Sequence, residues 1–258
     1  MTKRPGTVTA VVIALNEERN IAGCLDTLRW ADEVIVVDAC STDRTAEIAR
    51  ERGATVLTEP WAGYGRARNL AAEAAAGEWI LAIDADERVS EPLATEIRAM
   101  VSGRAEDRDV TAYEVARRAY FLGRWIRHCG WYPGYVARLF RNGEAGYDQA
   151  RVHERLVFTG RSGRLRNDLE HYTDDNLFHY LSKLDRYTTL AAEDLAERGR
   201  GFSPIDLVVK PPFLFLKMYI LRLGFLDGIH GLTLSLLSSA YVFVKYAKLW
   251  EKSLPPTR

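Results

Sequence analysis

Two aspartates separated by one residue stand directly after an apolar run and could hold a divalent metal ion. Asp84 and Asp86 follow the apolar residues 79–83 with no spacer, so a random surface turn is the weaker explanation. Mg²⁺ and Mn²⁺ prefer oxygen ligands, and they commonly keep one or two protein carboxylates together with phosphate oxygens. The pattern therefore predicts Mn²⁺ or Mg²⁺ as a cofactor that neutralises a leaving diphosphate.

Polar side chains that could meet this pair follow earlier apolar runs. Asn16 and Glu17 come after the first run, at 8–14, and Asp38 ends the second. In an open parallel sheet, ligands bind beyond the carboxyl ends of the strands. We therefore expect these side chains to converge with the aspartate pair on one crevice.

The elements that must position these residues alternate between strand and helix patterns. Apolar and β-branched runs predict strands at 8–14, 34–37, 56–57 and 79–83. Helical patterns lie at 21–28, from capping residues 41–43 to about residue 52, at 67–76, and after Ser90. This alternation predicts an α/β fold with a mostly parallel central sheet and right-handed crossovers.

Charge and composition restrict the partners. Lys plus Arg and Asp plus Glu balance at 35 each, so no basic excess indicates nucleic acid. The segment 104–166 is rich in arginines and aromatic residues, with strands predicted at 111–116 and 136–140. In isolation it could be a single-stranded nucleic-acid surface, but no RNA-binding motif accompanies it. We expect no nucleic-acid partner.

The turn after the first predicted strand argues against two other enzyme classes. It reads Leu15-Asn16-Glu17-Glu18 and contains no glycine. A dinucleotide-dependent oxidoreductase would carry a G-x-G-x-x-G motif there, because its backbone must approach a pyrophosphate. Nucleotidyltransferases usually carry a Gly-rich phosphate loop at the same place. Both classes are therefore disfavoured.

Four motifs in chain order carry a family resemblance: residues 11–18 (VVIALNEE), 36–43 (VVDACSTD), Arg68-Asn69 and Asp84-Ala85-Asp86. Together they resemble the large inverting glycosyltransferase family 2 of GT-A fold. Residues 138–141, 152–154 and 224–228 are similar to the branch that glucosylates the lipopolysaccharide inner core. The resemblance implies transfer of a hexose, with glucose as first candidate, from a UDP-sugar donor to a lipid-linked saccharide such as lipopolysaccharide core.

The resemblance also implies roles for individual residues. Those that would bind the donor nucleotide are Leu15, Asn16, Glu17, Asp38, Arg68, Asn69 and Asp84. Within this set, Asp38 would bind the uracil ring and Asp84 would lie at the ribose. Asp86 would hold the metal ion. Glu87 stands where related proteins often have a further aspartate, a departure that leaves the metal role of Asp86 intact.

An inverting transfer needs a base that deprotonates the acceptor hydroxyl, and a carboxylate suits this role. The Glu-Asp or Asp-Asp pair that usually supplies it in the family is absent from the expected region. Glu154 is therefore the candidate base. Alternatively, His153 and Glu154 tie a loop to Arg151 or Arg155.

Three further residues could contact a phosphate or the acceptor. Arg138 and Arg141 occupy the place of a Gln-x-x-Arg-Trp element of the family, whose Gln and Trp are absent here. Either arginine could clamp a phosphate with two hydrogen bonds, although solvated surface charge explains Arg141 equally well. His153 is the third candidate, and an anionic glycolipid acceptor would suit all three.

The C-terminal region is predicted to be helical, hydrophobic and membrane-associated. Between 213 and 244 apolar residues occur on most helical faces, and Lys245, Lys248 and Lys252 follow on one face. That combination suits a helix at an anionic bilayer surface, and the alternative is packing on the catalytic domain or a second subunit. A homo-oligomer is left open.

The sequence thus predicts three functional regions. Residues 1–103 would form the nucleotide-sugar-binding half, 104–200 the acceptor-binding half, and 201–258 the membrane-associating helices. The expected location is the cytoplasmic side of the inner membrane, as a peripheral or monotopic protein. The alternatives are a glycosyltransferase of another envelope glycan and a non-catalytic scaffold of GT-A fold at the membrane.

Overall fold

The computed structural model of the protein describes residues 3–103, 109–148, 155–174 and 176–254. The chain forms two compact units. The first comprises Met1–Arg117 and Tyr135–His171, and the second comprises Arg118–Gly134 and Tyr172–Arg258. The three functional regions expected from sequence concern binding roles, which this division does not test, and they stay a prediction.

Strands and helices alternate in the first part of the chain, and a run of strands and then a run of helices follow. The strands are β1 Arg4–Ala14, β2 Glu33–Asp38, β3 Thr55–Thr58, β4 Gly77–Asp84, β5 Glu87–Val89, β6 Val110–Phe121, β7 Arg124–Trp125, β8 Gly134–Arg141, β9 Ala145–Tyr147, β10 Leu156–Phe158, β11 Arg161–Arg164 and β12 Leu169–Asp174. The helices are α1 Ile21–Asp26, α2 Thr45–Glu51, α3 Tyr64–Ala74, α4 Glu91–Ser102, α5 Leu177–Glu197, α6 Pro204–Val208, α7 Lys210–Leu216 and α8 Gly228–Ser253. A π-helix, Lys217–Leu221, and a 3₁₀ helix, Gly224–Asp227, connect α7 to α8.

The first four strands form a parallel sheet. They are neighbours in the order β3, β2, β1, β4, and all pair in parallel. Val12 of β1 lies opposite both Val36 of β2 and Ile83 of β4. This register brings the ends of β2 and β4, Asp38 and Asp84, to the same edge. The predicted α/β arrangement is confirmed.

Beyond β4 the strand pairing becomes mixed. The order continues with β8, β6, β12 and β5, where β8 is antiparallel to β4 and β12 is antiparallel to β5. The predicted strands 111–116 and 136–140 lie inside β6 and β8. Strand β5 was not predicted, because three residues are too few to show a periodicity.

Strand β1 is covered on both faces, which explains its unbroken apolar run. Ala10 and Val12 pack in one cluster with Leu25 of α1. Ile13 packs in a second cluster with Ala71 of α3. Each of these five side chains is at most 7% exposed. A parallel strand that is buried on both faces reads as continuous rather than alternating hydrophobicity.

Local capping agrees with the sequence patterns. Ser90 Oγ accepts the backbone N–H of Leu93 at 3.4 Å and so caps α4. At α2, the Asp43 carboxylate accepts the backbone N–H of Thr45 at 3.0 Å. Gly53 follows α2 with a φ of 81°, a left-handed conformation that favours glycine at a helix end.

The second unit has its own core. Phe121, Met218 and Leu234 pack together there, and α8 packs along α5. Within the described ranges, no helix taken singly has the length and apolarity to cross a bilayer. Taken together, Pro204–Leu221 and Gly224–Ser253 meet that length and composition, with a bend of 71° between them.

Two of the three α8 lysines that were expected to face a bilayer, Lys248 and Lys252, contact acidic side chains of α5. The Nζ atom of Lys248 lies 2.7 Å from Asp185 Oδ1, and that of Lys252 lies 3.4 Å from Glu193 Oε1. Lys248 also donates to the hydroxyl of Thr189 at 2.7 Å. These two lysines therefore take part in the packing of α8 against α5.

Candidate active site

The loops that follow β1 and β2 are hydrogen-bonded to each other. The backbone N–H of Asn16 donates to Ser41 Oγ at 2.9 Å, and Asn16 Oδ1 accepts the backbone N–H of Thr42 at 2.8 Å. The backbone N–H of Glu17 donates to Thr45 Oγ1 at 2.8 Å. Asn16 has a φ of 56°, in the left-handed region that asparagine tolerates better than most residues. The predicted residues after β1 are therefore held beside the end of β2.

Asp38 has a buried carboxylate with one unsatisfied oxygen. The residue is 2% exposed, and its Oδ2 accepts the backbone N–H of Ser41 at 3.2 Å. Its Oδ1 is buried and has no hydrogen-bond partner among the described residues. Leaving a buried acceptor unpaired costs about 1–3 kcal/mol, so this atom is suited to accept a ligand's N–H or O–H. Leu15 is half-buried just beyond β1.

Asp84 lies between two arginines. Its Oδ1 is 2.6 Å from Arg68 Nη2, and its Oδ2 pairs with Arg138. Burial alone would raise the pKa of Asp84, but Arg138 and Arg68 outweigh burial and hold that pKa well below its usual range. The carboxylate is therefore ionised at neutral pH, and 27% of its side-chain surface stays accessible.

Glu87 is fully buried behind Asp84. Its Oε1 lies 2.7 Å from Arg138 Nη2, and its Oε2 accepts the backbone N–H of Asp84 at 2.9 Å. Burial raises the pKa of Glu87, and the Arg138 guanidinium opposes that rise. Arg138 thus bridges two carboxylates and fixes the turn between β4 and β5. Its predicted contact with a phosphate or acceptor stays a prediction.

Asp86 lies beside a histidine that was not predicted from sequence. Asp86 Oδ2 is 3.4 Å from His171 Nε2, and the two side chains are 19% and 16% exposed. Burial would lower the pKa of His171, but Asp86 outweighs burial and raises it. His171 reaches this position because β12 pairs with β5, with His171 opposite Glu87.

The Asp86–His171 pair has a donor set that suits a divalent cation. A carboxylate oxygen and an imidazole nitrogen can both coordinate Mn²⁺, and their partial exposure leaves room for further ligands. In the part of the chain that the structure describes, no group of three or more His, Cys, Asp and Glu side chains could hold a metal together. The pair therefore fits an open site, whose remaining ligands would be water or phosphate oxygens.

Two residues on α3 contact β9. Asn69 Oδ1 accepts the backbone N–H of Tyr147 at 2.8 Å, and Asn69 Nδ2 donates to the carbonyl of Tyr147 at 2.8 Å. The guanidinium of Arg68 lies over the Tyr147 ring, 4.9 Å from its centroid. Both side chains thus have structural partners, and their predicted nucleotide contacts stay predictions.

The structure does not bring Arg141 to this edge of the sheet. Arg141 Nη1 lies 2.7 Å from Glu78 Oε1, and its guanidinium lies over the Trp79 ring at 4.5 Å. Both partners stand at the start of β4, whereas Asp84 ends that strand. The predicted His153 and Glu154 lie outside the described residues.

A cleft of about 140 Å³ opens beside the end of β2. Its lining includes Val37, Ala39, Glu59, Trp61 and Arg66. Glu59 and Trp61 were not predicted as site residues, although Trp61 lies between a predicted strand and an Ala-rich helix, where an exposed aromatic residue could have indicated a binding loop. The cleft offers an aromatic ring and both signs of charge next to the Asp38 segment.

Comparison with known proteins connects this geometry to a family. The model of the family described as "Glycosyl transferase family 2" matches residues 9–172. The lipopolysaccharide core biosynthesis glycosyltransferase LpsC of Rhizobium meliloti is 30% identical, over 95% of this chain and 92% of its own. An uncharacterised glycosyltransferase of Rickettsia typhi is 30% identical, over 96% of this chain and 88% of its own.

Among solved structures, glucosyl-3-phosphoglycerate synthase of Mycobacterium tuberculosis, in complex with Mn²⁺, UDP and glucosyl-3-phosphoglycerate, is similar to part of the chain. It is 28% identical with a TM-score of 0.37, and the match covers 43% of this chain and 44% of that one. The family match includes the second half of β1, all of β2 to β4, both aspartates of the triplet and His171. With a GT-A sheet in place and a family-2 match over more than half of its length, the chain belongs to glycosyl transferase family 2 and is a glycosyltransferase.

Proposed function

We propose that this glycosyltransferase moves a hexose, with glucose as first candidate, from a UDP-sugar to a lipid-linked saccharide such as lipopolysaccharide core. The transfer would invert the anomeric configuration and would use Mn²⁺ or Mg²⁺. Similarity to LpsC, a protein named for lipopolysaccharide core biosynthesis, supports the acceptor class. Glycosyl transfer to another envelope glycan is the alternative.

The observation that carries the donor proposal is the unsatisfied Oδ1 of Asp38. A uracil ring presents an imide N–H between two carbonyl oxygens, and a carboxylate oxygen accepts such a donor well. The same edge of the sheet holds Asp84, whose carboxylate is ionised and partly accessible. Asp84 can accept hydrogen bonds from ribose hydroxyls while Arg68 and Arg138 fix its orientation.

Asp86 and His171 are the residues that would hold the metal ion. When bound, a divalent cation neutralises the charge of the leaving diphosphate. Binding requires His171 to be neutral, since a protonated imidazole cannot coordinate a metal. Glu87 keeps the Asp84–Asp86 turn in place through the backbone N–H of Asp84 and would not reach the cation itself, because its oxygens face Asp84 and Arg138.

Glu154 is the proposed base for the acceptor hydroxyl, on the strength of the sequence alone. Because the acceptor is lipid-linked, the proposed location is the cytoplasmic side of the inner membrane, as a peripheral or monotopic protein.

The first experiment is calorimetric titration of the protein with UDP-glucose, in Mn²⁺ and in EDTA. We expect binding that requires Mn²⁺ and that is lost in the Asp86→Ala and Asp38→Asn variants. Asp109→Asn is the matched control, since Asp109 is an exposed aspartate outside the site. Binding of UDP-glucose unchanged by EDTA and by Asp86→Ala would overturn the metal role. Binding of another nucleotide sugar in its place would overturn the choice of glucose.

A further inference from the structure

The segment from Pro204 to Ile229 in the second unit presents apolar side chains on two opposite faces. One face is buried in that unit, where Pro211 and Met218 contribute to the packing. On the rest of the segment, eleven large apolar side chains are each at least 44% exposed. A surface helix of a globular protein normally has one apolar face and one polar face. The second apolar face therefore needs a partner.

The exposed side chains form a continuous stripe. Ile205, Val209, Phe213, Leu216 and Ile220 are separated by four, four, three and four residues, and their exposures range from 47% to 67%. This spacing places them on one side of the run formed by α6, α7 and the π-helix. The stripe thus follows the whole length of the run.

The apolar surface continues across the bend before α8. Phe225 and Ile229 are 44% and 67% exposed on the far side of it. The bend is closely packed, because a Cβ on Gly224 would lie 2.6 Å from Cys129 Sγ. A Cβ on Gly231 would lie 1.9 Å from the Gly224 carbonyl oxygen. Only glycine fits these two positions, so the turn holds both parts of the surface together.

The acidic side chains of the segment are buried, whereas two of its basic side chains are exposed. Both acids, Asp206 and Asp227, are buried, at 6% and 3% exposure. Asp206 pairs with Lys210, and Asp227 accepts the backbone N–H of His128 at 2.8 Å. The exposed charged residues of the segment are Lys217 and Arg222. Towards solvent the segment is therefore apolar and cationic.

We propose that this face lies flat in the headgroup region of an anionic lipid bilayer, with the apolar stripe towards the acyl chains. An interfacial segment of this kind buries its apolar face about 5–10 Å deep, at the boundary between headgroups and acyl chains. Lys217 and Arg222 would contact anionic headgroups. The inference rests on the proposed lipid-linked acceptor for its purpose, and it differs from the sequence expectation because α8's Lys248 and Lys252 contact α5.

A second copy of the chain is a poorer occupant for this surface. A two-fold interface would bring Lys217 and Arg222 of both copies into one buried region. The segment exposes no acid that could pair with them, since both of its aspartates are buried. Anionic headgroups supply the missing negative charge.

The test is flotation of the full-length protein with vesicles of phosphatidylglycerol and phosphatidylcholine, and with vesicles of phosphatidylcholine alone. We expect binding to the anionic vesicles, and a partition coefficient at least about tenfold lower for the Phe213→Ser, Ile220→Ser double variant. Val157→Ser is the control, because Val157 is an apolar side chain in the first unit that is 60% exposed. A Lys217→Gln, Arg222→Gln variant should lose most of the preference for anionic vesicles.

Equal vesicle binding by the double variant and the wild type would overturn the proposal. The proposal would also be wrong if the wild type is a dimer that binds no vesicles and the double variant is a monomer. In that case a second copy of the chain covers this face. Thermal melting checks that each variant folds. UDP-glucose titration of the same samples separates the two proposals. If the protein binds vesicles but not UDP-glucose, the membrane inference holds and the donor proposal fails. If it binds UDP-glucose but not vesicles, only the membrane inference fails.

Discussion

The Oδ2 atom of Asp86 lies 3.4 Å from the Nε2 atom of His171, so a carboxylate and an imidazole from distant parts of the chain meet at one end of the sheet. The pairing of β5 with β12 sets the geometry of this pair, because it places His171 opposite Glu87, next to Asp86. The metal proposal therefore depends on His171 as well as on the aspartate that the sequence pattern indicates.

Replacing His171 with Ala should weaken Mn²⁺ binding by about tenfold or more, since a direct ligand contributes at least as much as a residue that only orients one. Mn²⁺ titration followed by electron paramagnetic resonance measures this affinity. His128→Ala is the control, because His128 pairs with Asp227 in the second unit. Unchanged affinity in His171→Ala would remove His171 from the site.

Replacing Arg138 with Met should lower the free energy of unfolding by about 3–5 kcal/mol, because the charge of Glu87 would stay buried without its partner. Urea denaturation measures the change. Adding Glu87→Gln to the same chain should recover part of the loss, since a neutral amide tolerates burial better than a carboxylate. A loss below about 1 kcal/mol in the Arg138→Met variant would contradict the conclusion that Arg138 compensates the buried charge of Glu87.

Replacing Asn69 with Ala should lower the free energy of unfolding by about 1–3 kcal/mol, because the backbone N–H and carbonyl of Tyr147 would lose their partners. Urea denaturation again gives the value, and Arg66→Ala, an exposed change on the same helix, is the control. Unchanged stability would show that water replaces the amide at little cost. UDP-glucose titration of the variant reports separately on the predicted nucleotide contact.

The contribution of Asp206 to the free energy of unfolding should decrease at acid pH. Lys210 and Arg200 hold the pKa of Asp206 below its ordinary value of 3.8. A lowered carboxyl pKa stabilises the fold above the unfolded-state pKa, and this contribution is lost as the pH falls through the folded-state value. Asp206→Asn should therefore destabilise the protein at pH 7, and the difference from the wild type should shrink as the pH falls below 3.8.

Urea denaturation at several pH values checks this trend. Asp194→Asn is the comparison, because Asp194 forms an exposed pair with Arg198 and should contribute little. A wild-type advantage that grows towards acid pH would have the wrong sign for Asp206.

Replacing Glu154 with Gln should leave UDP-glucose binding intact and abolish hexose transfer, if the carboxylate is the base. Transfer of labelled glucose to a lipopolysaccharide core acceptor measures the effect. Glu144→Gln, a nearby glutamate outside the predicted site, is the control. Near-normal transfer by Glu154→Gln would assign the base to another residue.

Most of the parallel part of the fold could be predicted because β1, β2 and β4 contain apolar runs that are buried on both faces. The run 79–83 lies inside β4, and the polar residues after it stand where a parallel sheet places ligands. His171 could not be predicted, because it reaches Asp86 only through pairing between short strands far apart in sequence. The buried position of Arg138 likewise depends on Glu87, which no local pattern connects to it.

The lysines of α8 show a different limit of prediction from sequence. Their spacing puts them on one face, and a row of cations on a helix fits a bilayer or a row of acids equally well. In the structure Lys248 and Lys252 contact Asp185 and Glu193 of α5, and only the packing of α8 on α5 brings these acids beside them.

The hydrogen bonds that join the loop after β1 to the loop after β2 have a thermodynamic consequence. Asn16 is tied to Ser41 and Thr42 in the protein alone, next to the unsatisfied oxygen of Asp38. Ordering a loop during association reduces affinity, because the lost conformational freedom must be offset by contacts. Here that ordering is completed when the protein folds, so a ligand that binds at Asp38 would not have to order these two loops.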